Sequence, residues 1–146
     1  MRKPTVVILA VVAALGLTGC AGASGPQLAV MDGGSEAELP EWLENQDRLP
    51  LINLTKIGEV DELIVFASRN DADEWCLIAG LAPTAEFEAW VSSSSCASPA
   101  LFAERGITVG FGTQYRSAGV QLIPDNYTGT VEVDWVRVND NLVVRE

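Results

Sequence analysis

Two apolar runs rich in β-branched and aromatic residues, Leu63-Ile64-Val65-Phe66-Ala67 and Trp75-Cys76-Leu77-Ile78-Ala79, stand on either side of a polar stretch, residues 68–74. Runs of this length read as strands. Asn70, Asp71 and Asp73 between them have side chains that bond their own backbone in turns, so a hairpin is predicted. Further on, Ser98-Pro99 opens a segment with a capping hydroxyl and a proline at the first helical position, and Arg105-Gly106 closes it with a cation and a glycine. Those four signals predict a helix. Between hairpin and helix, Phe87, Ala89 and Val91 alternate with Glu86, Glu88 and Trp90. The alternation predicts a half-buried strand running into the serines 92–95, although Phe87 and Trp90 also fit one helical face.

The remaining pattern continues the theme. Pro40-Glu41-Trp42-Leu43-Glu44 is a proline-started, acid-led helical turn ended by Pro50, with Trp42 and Leu43 over the core. Residues 51–60 alternate and lead into the hairpin as a strand, and 107–111 pairs with 119–123 as a second hairpin. Gly110-Phe111-Gly112 has neither the third glycine nor the following helix of a dinucleotide fingerprint and reads as a strand irregularity. Pro124-Asp125-Asn126-Tyr127 is a turn by composition. Thr130-Val131-Glu132-Val133-Asp134-Trp135 alternates cleanly, with a phase break at Val136 that suits a β-bulge, and Asn139-Asp140-Asn141 turns the chain into a last strand at 142–144. The class is therefore α+β, a mainly antiparallel sheet of about seven or eight short strands with one or two short helices and one disulfide. Acids are expected on the solvated face of the sheet.

The start of the chain has a different pattern. Arg2 and Lys3 precede the apolar core 6–17, which ends in Leu17-Thr18-Gly19-Cys20. A core of 12 residues makes a helix of about 18 Å, short of the about 30 Å of a bilayer's hydrocarbon. Basic, apolar, small and then cysteine resembles a bacterial lipoprotein signal peptide with its lipobox. That resemblance implies removal of residues 1–19, diacylglycerol and fatty acyl groups on Cys20, and a place on the extracytoplasmic face of a membrane. Ala21, and not an aspartate, follows the cysteine, which permits onward sorting where there are two membranes. Residues 20–39, rich in Gly, Ala, Ser and acids, read as a lipidated flexible tether of about 25 Å reach, and 40–146 as a single globular domain.

Cleavage sharpens the composition. The full chain has 9 Lys+Arg against 20 Asp+Glu, and loss of Arg2 and Lys3 takes the net charge from −11 to −13. So acidic a surface repels nucleic acid and anionic head groups. With Cys20 assigned to lipid, Cys76 and Cys96 remain in an oxidising compartment and are expected to pair. They lack the Cys-x-x-Cys spacing of a redox-active pair. Trp75-Cys76-Leu77-Ile78, Ser94-Ser95-Cys96, Phe102-Ala103-Glu104-Arg105-Gly106 and Gly119-Val120-Gln121-Leu122-Ile123-Pro124-Asp125 together resemble a family of small exported actinobacterial proteins without an assigned activity. The resemblance supports the bridge and implies no mechanism.

Candidate chemistry is sparse. The chain has no histidine, which removes Ser-His-Asp and Cys-His activation and histidine-containing zinc sites. Lys56 is the one lysine after Lys3, and no Ser-x-x-Lys includes it. Glu86 with Glu88, and Glu132 with Asp134, are the carboxylate pairs an acid–base enzyme could use if they share strand faces. Asn70, Asp71, Asp73 and Glu74 supply hard oxygens at calcium-like density, but without the Asp-x-Asp-x-Asp-Gly spacing, and turn chemistry explains the same residues; 125–126 and 139–141 are two further oxygen-rich loops. Trp42, Trp90, Tyr115 and Tyr127 are candidate contacts, since tryptophan and tyrosine dominate interface hot spots. The balance points to a non-catalytic binding domain for an envelope protein, glycan or small ligand, with no cofactor beyond the lipid on Cys20, and with a carboxylate-based envelope enzyme as the alternative.

The lipobox pattern generates the first prediction. Metabolic labelling with a fatty acid should mark the protein, and Cys20→Ala should abolish the label; label that survives the substitution contradicts the anchor.

Overall fold

The computed structural model describes residues 25–33, 36–44 and 52–145, so the apolar core 6–17, the expected lipobox and Cys20 lie outside the described residues. The first hairpin forms as its sequence dictates. β2 (Leu63–Arg69) and β3 (Trp75–Leu81) pair antiparallel without a slip from Leu63↔Leu81 to Arg69↔Trp75. Their turn is built by Asn70, whose Oδ1 accepts from the backbone N–H groups of Ala72 and Glu74, both at 3.0 Å, while Asp73 takes a positive φ of 61°. β1 (Ile52–Val60) adds to the far edge of β2 with two register shifts, and β4 (Val91–Ala97) adds to β3, giving a four-stranded antiparallel sheet of order β1-β2-β3-β4.

α3 (Pro99–Arg105) then carries the chain out of this sheet. The Ser98 hydroxyl accepts from Leu101 N–H at 3.5 Å, Pro99 starts the helix, and Gly106, at φ 69°, ends it with its N–H on Phe102 O. Any Cβ at Gly106 would strike the Leu122 carbonyl, so glycine is required there. β5 (Ile107–Gly112), β6 (Ser117–Leu122), β7 (Val136–Arg137) and β8 (Leu142–Arg145) form a second antiparallel sheet of order β5-β6-β8-β7. Among the described residues, two four-stranded sheets and three short helices, the others being α1 (Ala29–Asp32) and α2 (Glu41–Glu44), make the α+β fold.

One hydrophobic cluster joins the two sheets. Leu63, Val65 and Ala67 of β2 and Trp75, Leu77, Ala79 and Leu81 of β3 share it with Val109, Val120, Leu122, Leu142 and Val144 of the second sheet, and Phe102 of α3 packs on Trp75 at 5.1 Å between ring centroids. Side chains alternate across a strand, so Phe66 and Ile78 point to the opposite face. There they form a smaller cluster with Leu54 and with Leu43 of α2. Cys76 lies opposite Cys96 in the β3–β4 ladder and is bonded to it, with Cα atoms 4.1 Å apart.

Several expectations need correction. Residues 86–90 are not strand; the strand is the serine run itself, Val91–Ala97, whose residues are all half-buried. Serines carry no apolar alternation, and it is the ladder to β3 and the Cys96 bond that make them a strand. Residues 130–135 alternate in sequence yet make no ladder: Trp135 N–H closes a turn on Glu132 O, and Val133 is 105% exposed. The strand begins later, at Val136 and Arg137, which pair with β8 on the edge away from β6. Gly110-Phe111-Gly112 lies in an unbroken register with β6 and is no irregularity. β3 is buried at all seven positions because a cluster lies on each side.

The described part of the expected tether also packs. Leu28 is 1% exposed inside the main cluster, Ala29 N–H donates to Asp125 Oδ2 at 2.7 Å, and Ala37 N–H donates to Leu54 O at 2.8 Å. A single leucine among small residues makes no period, so nothing local marks it as core. The packing predicts that Leu28→Ala destabilises the domain by about 3 kcal/mol, measured by urea unfolding. A free tether would show no change.

Candidate functional site

At the Leu81 end of β3 the chain enters a loop, residues 82–90, which carries Glu86, Phe87, Glu88 and Trp90. Hydrogen bonds hold it at three places. Ala82 N–H donates to Glu62 O at 2.9 Å; Thr84 and Phe87 close a turn on each other, with Phe87 N–H on the Thr84 hydroxyl at 3.0 Å and Thr84 N–H on Phe87 O at 2.8 Å; and Ala89 O accepts from Arg116 Nη2 at 2.7 Å. The last bond crosses to the second sheet, because Arg116 belongs to the β5–β6 turn.

That turn, residues 113–116, is built by Thr113. Its hydroxyl accepts from the N–H groups of Tyr115 and Arg116 at 3.2 and 3.3 Å, and its N–H donates to Arg116 O at 2.7 Å. Tyr115 is thereby presented outward, 71% exposed, and its ring stacks on Phe87 at 6.0 Å and 27° between planes. Arg116 places its guanidinium 5.4 Å from the Phe87 ring. Its Nε and Nη1 are shielded from solvent and have no hydrogen-bond partner among the described residues. Between loop and turn lies a groove of about 340 Å³ lined by residues 86–89 and 113–116, among them Glu86, Glu88, Arg116 and the aromatic Phe87 and Tyr115.

A second ring pair continues the loop. Trp90, 39% exposed, meets Trp42 of α2 at 6.2 Å between centroids, tilted by 49°. Trp42 comes so low because position 80 has no side chain: a Cβ on Gly80 would lie 2.8 and 3.0 Å from the Trp42 ring atoms Cζ3 and Cη2. The fold thus brings three of the four expected aromatic contacts, Trp42, Trp90 and Tyr115, around one loop. Tyr127 sits elsewhere, over Gly129 and beside a cavity of about 500 Å³ that Asp125, Asn126, Arg137 and Asp140 also line.

Sequence reasoning missed Phe87 as the partner of Tyr115, and Arg116 as the partner of Phe87 and Ala89. The signal for Phe87 was present in Glu86-Phe87-Glu88-Ala89-Trp90, two aromatics three apart with the first set between carboxylates, but it read as a strand. Arg116 carries no local signal, since its bond to Ala89 spans 27 residues.

The other expected site residues are engaged in structure. Asp73 pairs with Arg69, which lies 4.2 Å from the Trp75 ring centroid, and Glu74 Oε2 accepts from Asn70 Nδ2 at 2.8 Å, while Asp71 is exposed. Asp125 accepts from Ala29 N–H and from Asn141 Nδ2. Among the described residues no three or more Asp, Glu or Cys side chains gather as metal ligands. Glu132 accepts from Trp135 Nε1 at 3.1 Å and Asp134 pairs with Arg145 at 3.5 Å, so neither stands on a strand face with the other. Glu86 and Glu88, off any strand, both line the groove. Comparison with protein-family models, with curated proteins and with solved structures finds no match.

The hollow at Gly80 predicts that Gly80→Ala drives Trp42 off the sheet and costs about 1–3 kcal/mol. Tryptophan emission should shift and quencher access rise, with urea unfolding reporting the cost; unchanged emission and stability would contradict the packing.

Proposed function

We propose that this chain is a lipid-anchored, extracytoplasmic binding protein, and that the aromatic groove between residues 82–90 and 113–116 is its contact surface. The observation that carries the reading is the Tyr115–Phe87 stack, an exposed ring held in place by a hydrogen-bonded turn and by a cross-sheet bond from Arg116 to Ala89. Rings kept rigid at a surface lose little entropy on contact, which is why tyrosine and tryptophan carry so much interface energy. The short apolar core before Cys20 and the acid-rich composition support a tethered module acting on neighbours in the envelope. Tethering raises the effective concentration of such a module toward other envelope components without any chemistry.

A photoreactive amino acid at position 115 of the full chain, in intact cells, tests this. The reading predicts a discrete crosslinked partner that the same probe at the exposed Leu101 of α3 does not capture. Equal crosslinking from both positions would contradict it. So would turnover of an envelope substrate by the purified chain that is lost in Glu86→Gln or Glu88→Gln without unfolding, which would instead establish the carboxylate enzyme.

A further inference from the structure

We infer that the groove's ligand is a basic peptide segment of a partner protein, with a lysine or arginine side chain laid against Tyr115 between Glu86 and Glu88. The inference rests on the binding reading above and adds the chemical class of what is bound. Aromatic faces attract cations through their ring quadrupole. The protein already uses that attraction here, since Arg116 sits 5.4 Å from the Phe87 ring, and Tyr115, stacked on Phe87, remains 71% exposed with surface open to a second cation.

Charge selects the occupant. Glu86 and Glu88, both exposed, line the groove and outnumber Arg116 there. An anionic ligand finds little to bind: Arg116 Nη2 is committed to the Ala89 carbonyl, and Nε and Nη1 are shielded from solvent. A second copy of the chain or an anionic polymer meets the field of a chain with net charge −11, whereas a basic partner is drawn in by it. The site also suits a chain more than a lone ion. Thr113 and Gln114 on one wall can bond a peptide backbone.

The test titrates the full chain in detergent with tetralysine, with tetraglutamate and with a neutral chitotetraose, followed by calorimetry and aromatic fluorescence. Tetralysine should bind, more weakly as salt rises, and tetraglutamate should not. Tyr115→Ala should weaken tetralysine about threefold to fivefold and the pair Glu86→Gln/Glu88→Gln about tenfold. The charge-matched pair Asp71→Asn/Glu104→Gln, exposed acids outside the groove, should leave affinity within about twofold. Equal loss from both pairs would reduce the binding to bulk charge and overturn the site. Chitotetraose binding that Tyr115→Ala removes, with tetralysine inert, would overturn the ligand class and keep the groove as a binding site. A position-115 crosslink with tetralysine inert does the same. Absence of both crosslink and ligand binding overturns the binding reading itself.

Discussion

The third strand, Trp75–Leu81, is buried at every position, and the rest of the molecule is arranged to cover it. One of its faces meets the second sheet through Leu77 and Ala79, and the other meets α2 through Ile78 and Gly80. A strand covered on both faces has no water to satisfy its backbone, so it must have a ladder on each side. Leu63–Arg69 supplies one and Val91–Ala97 the other. The Cys76–Cys96 bond fastens the second ladder, closing a separation of 20 residues that is worth about 3 kcal/mol in the chain-entropy account. That is a large share of the stability of a domain this size.

The groove follows from the same arrangement. Residues 82–90 leave the end of this buried strand and must return to the partly covered strand beside it, so the loop is anchored at both ends by the most constrained part of the fold. The second sheet, held against the first by the shared cluster, brings its β5–β6 turn to the same place. On the other face of the first sheet, Gly80 lets Trp42 drop onto the sheet and meet Trp90. The two ring pairs, Tyr115 with Phe87 and Trp42 with Trp90, are thus products of core packing on either side of the loop.

Much of this was legible along the chain, and the exceptions share a cause. The hairpin 63–81, the capped helix and the hairpin 107–122 announce themselves because their signals are local: periodicity, capping residues and turn chemistry lie within a few positions of one another. The serine strand, the burial of Leu28 and the division into two sheets depend on partners far along the chain. Residues 130–135 fail the other way, with the right alternation but no neighbour that takes up the ladder, so Val133 is left in solvent. The site divides likewise. Composition singled out Trp42, Trp90 and Tyr115 one by one, while the contacts that position them at the loop, Arg116 to Ala89 and Trp42 over Gly80, exist only in three dimensions.

The central claim is that one core unites both sheets and thereby holds the two walls of the groove together. Native-state hydrogen exchange under increasing denaturant measures this directly. The account predicts that amides of Leu77 and Ile78 in the first sheet and of Val120 and Val143 in the second open only by the same global unfolding, with free energies that converge on one value. A second sheet that exchanges through its own, distinctly lower-energy opening while the first stays closed would contradict it.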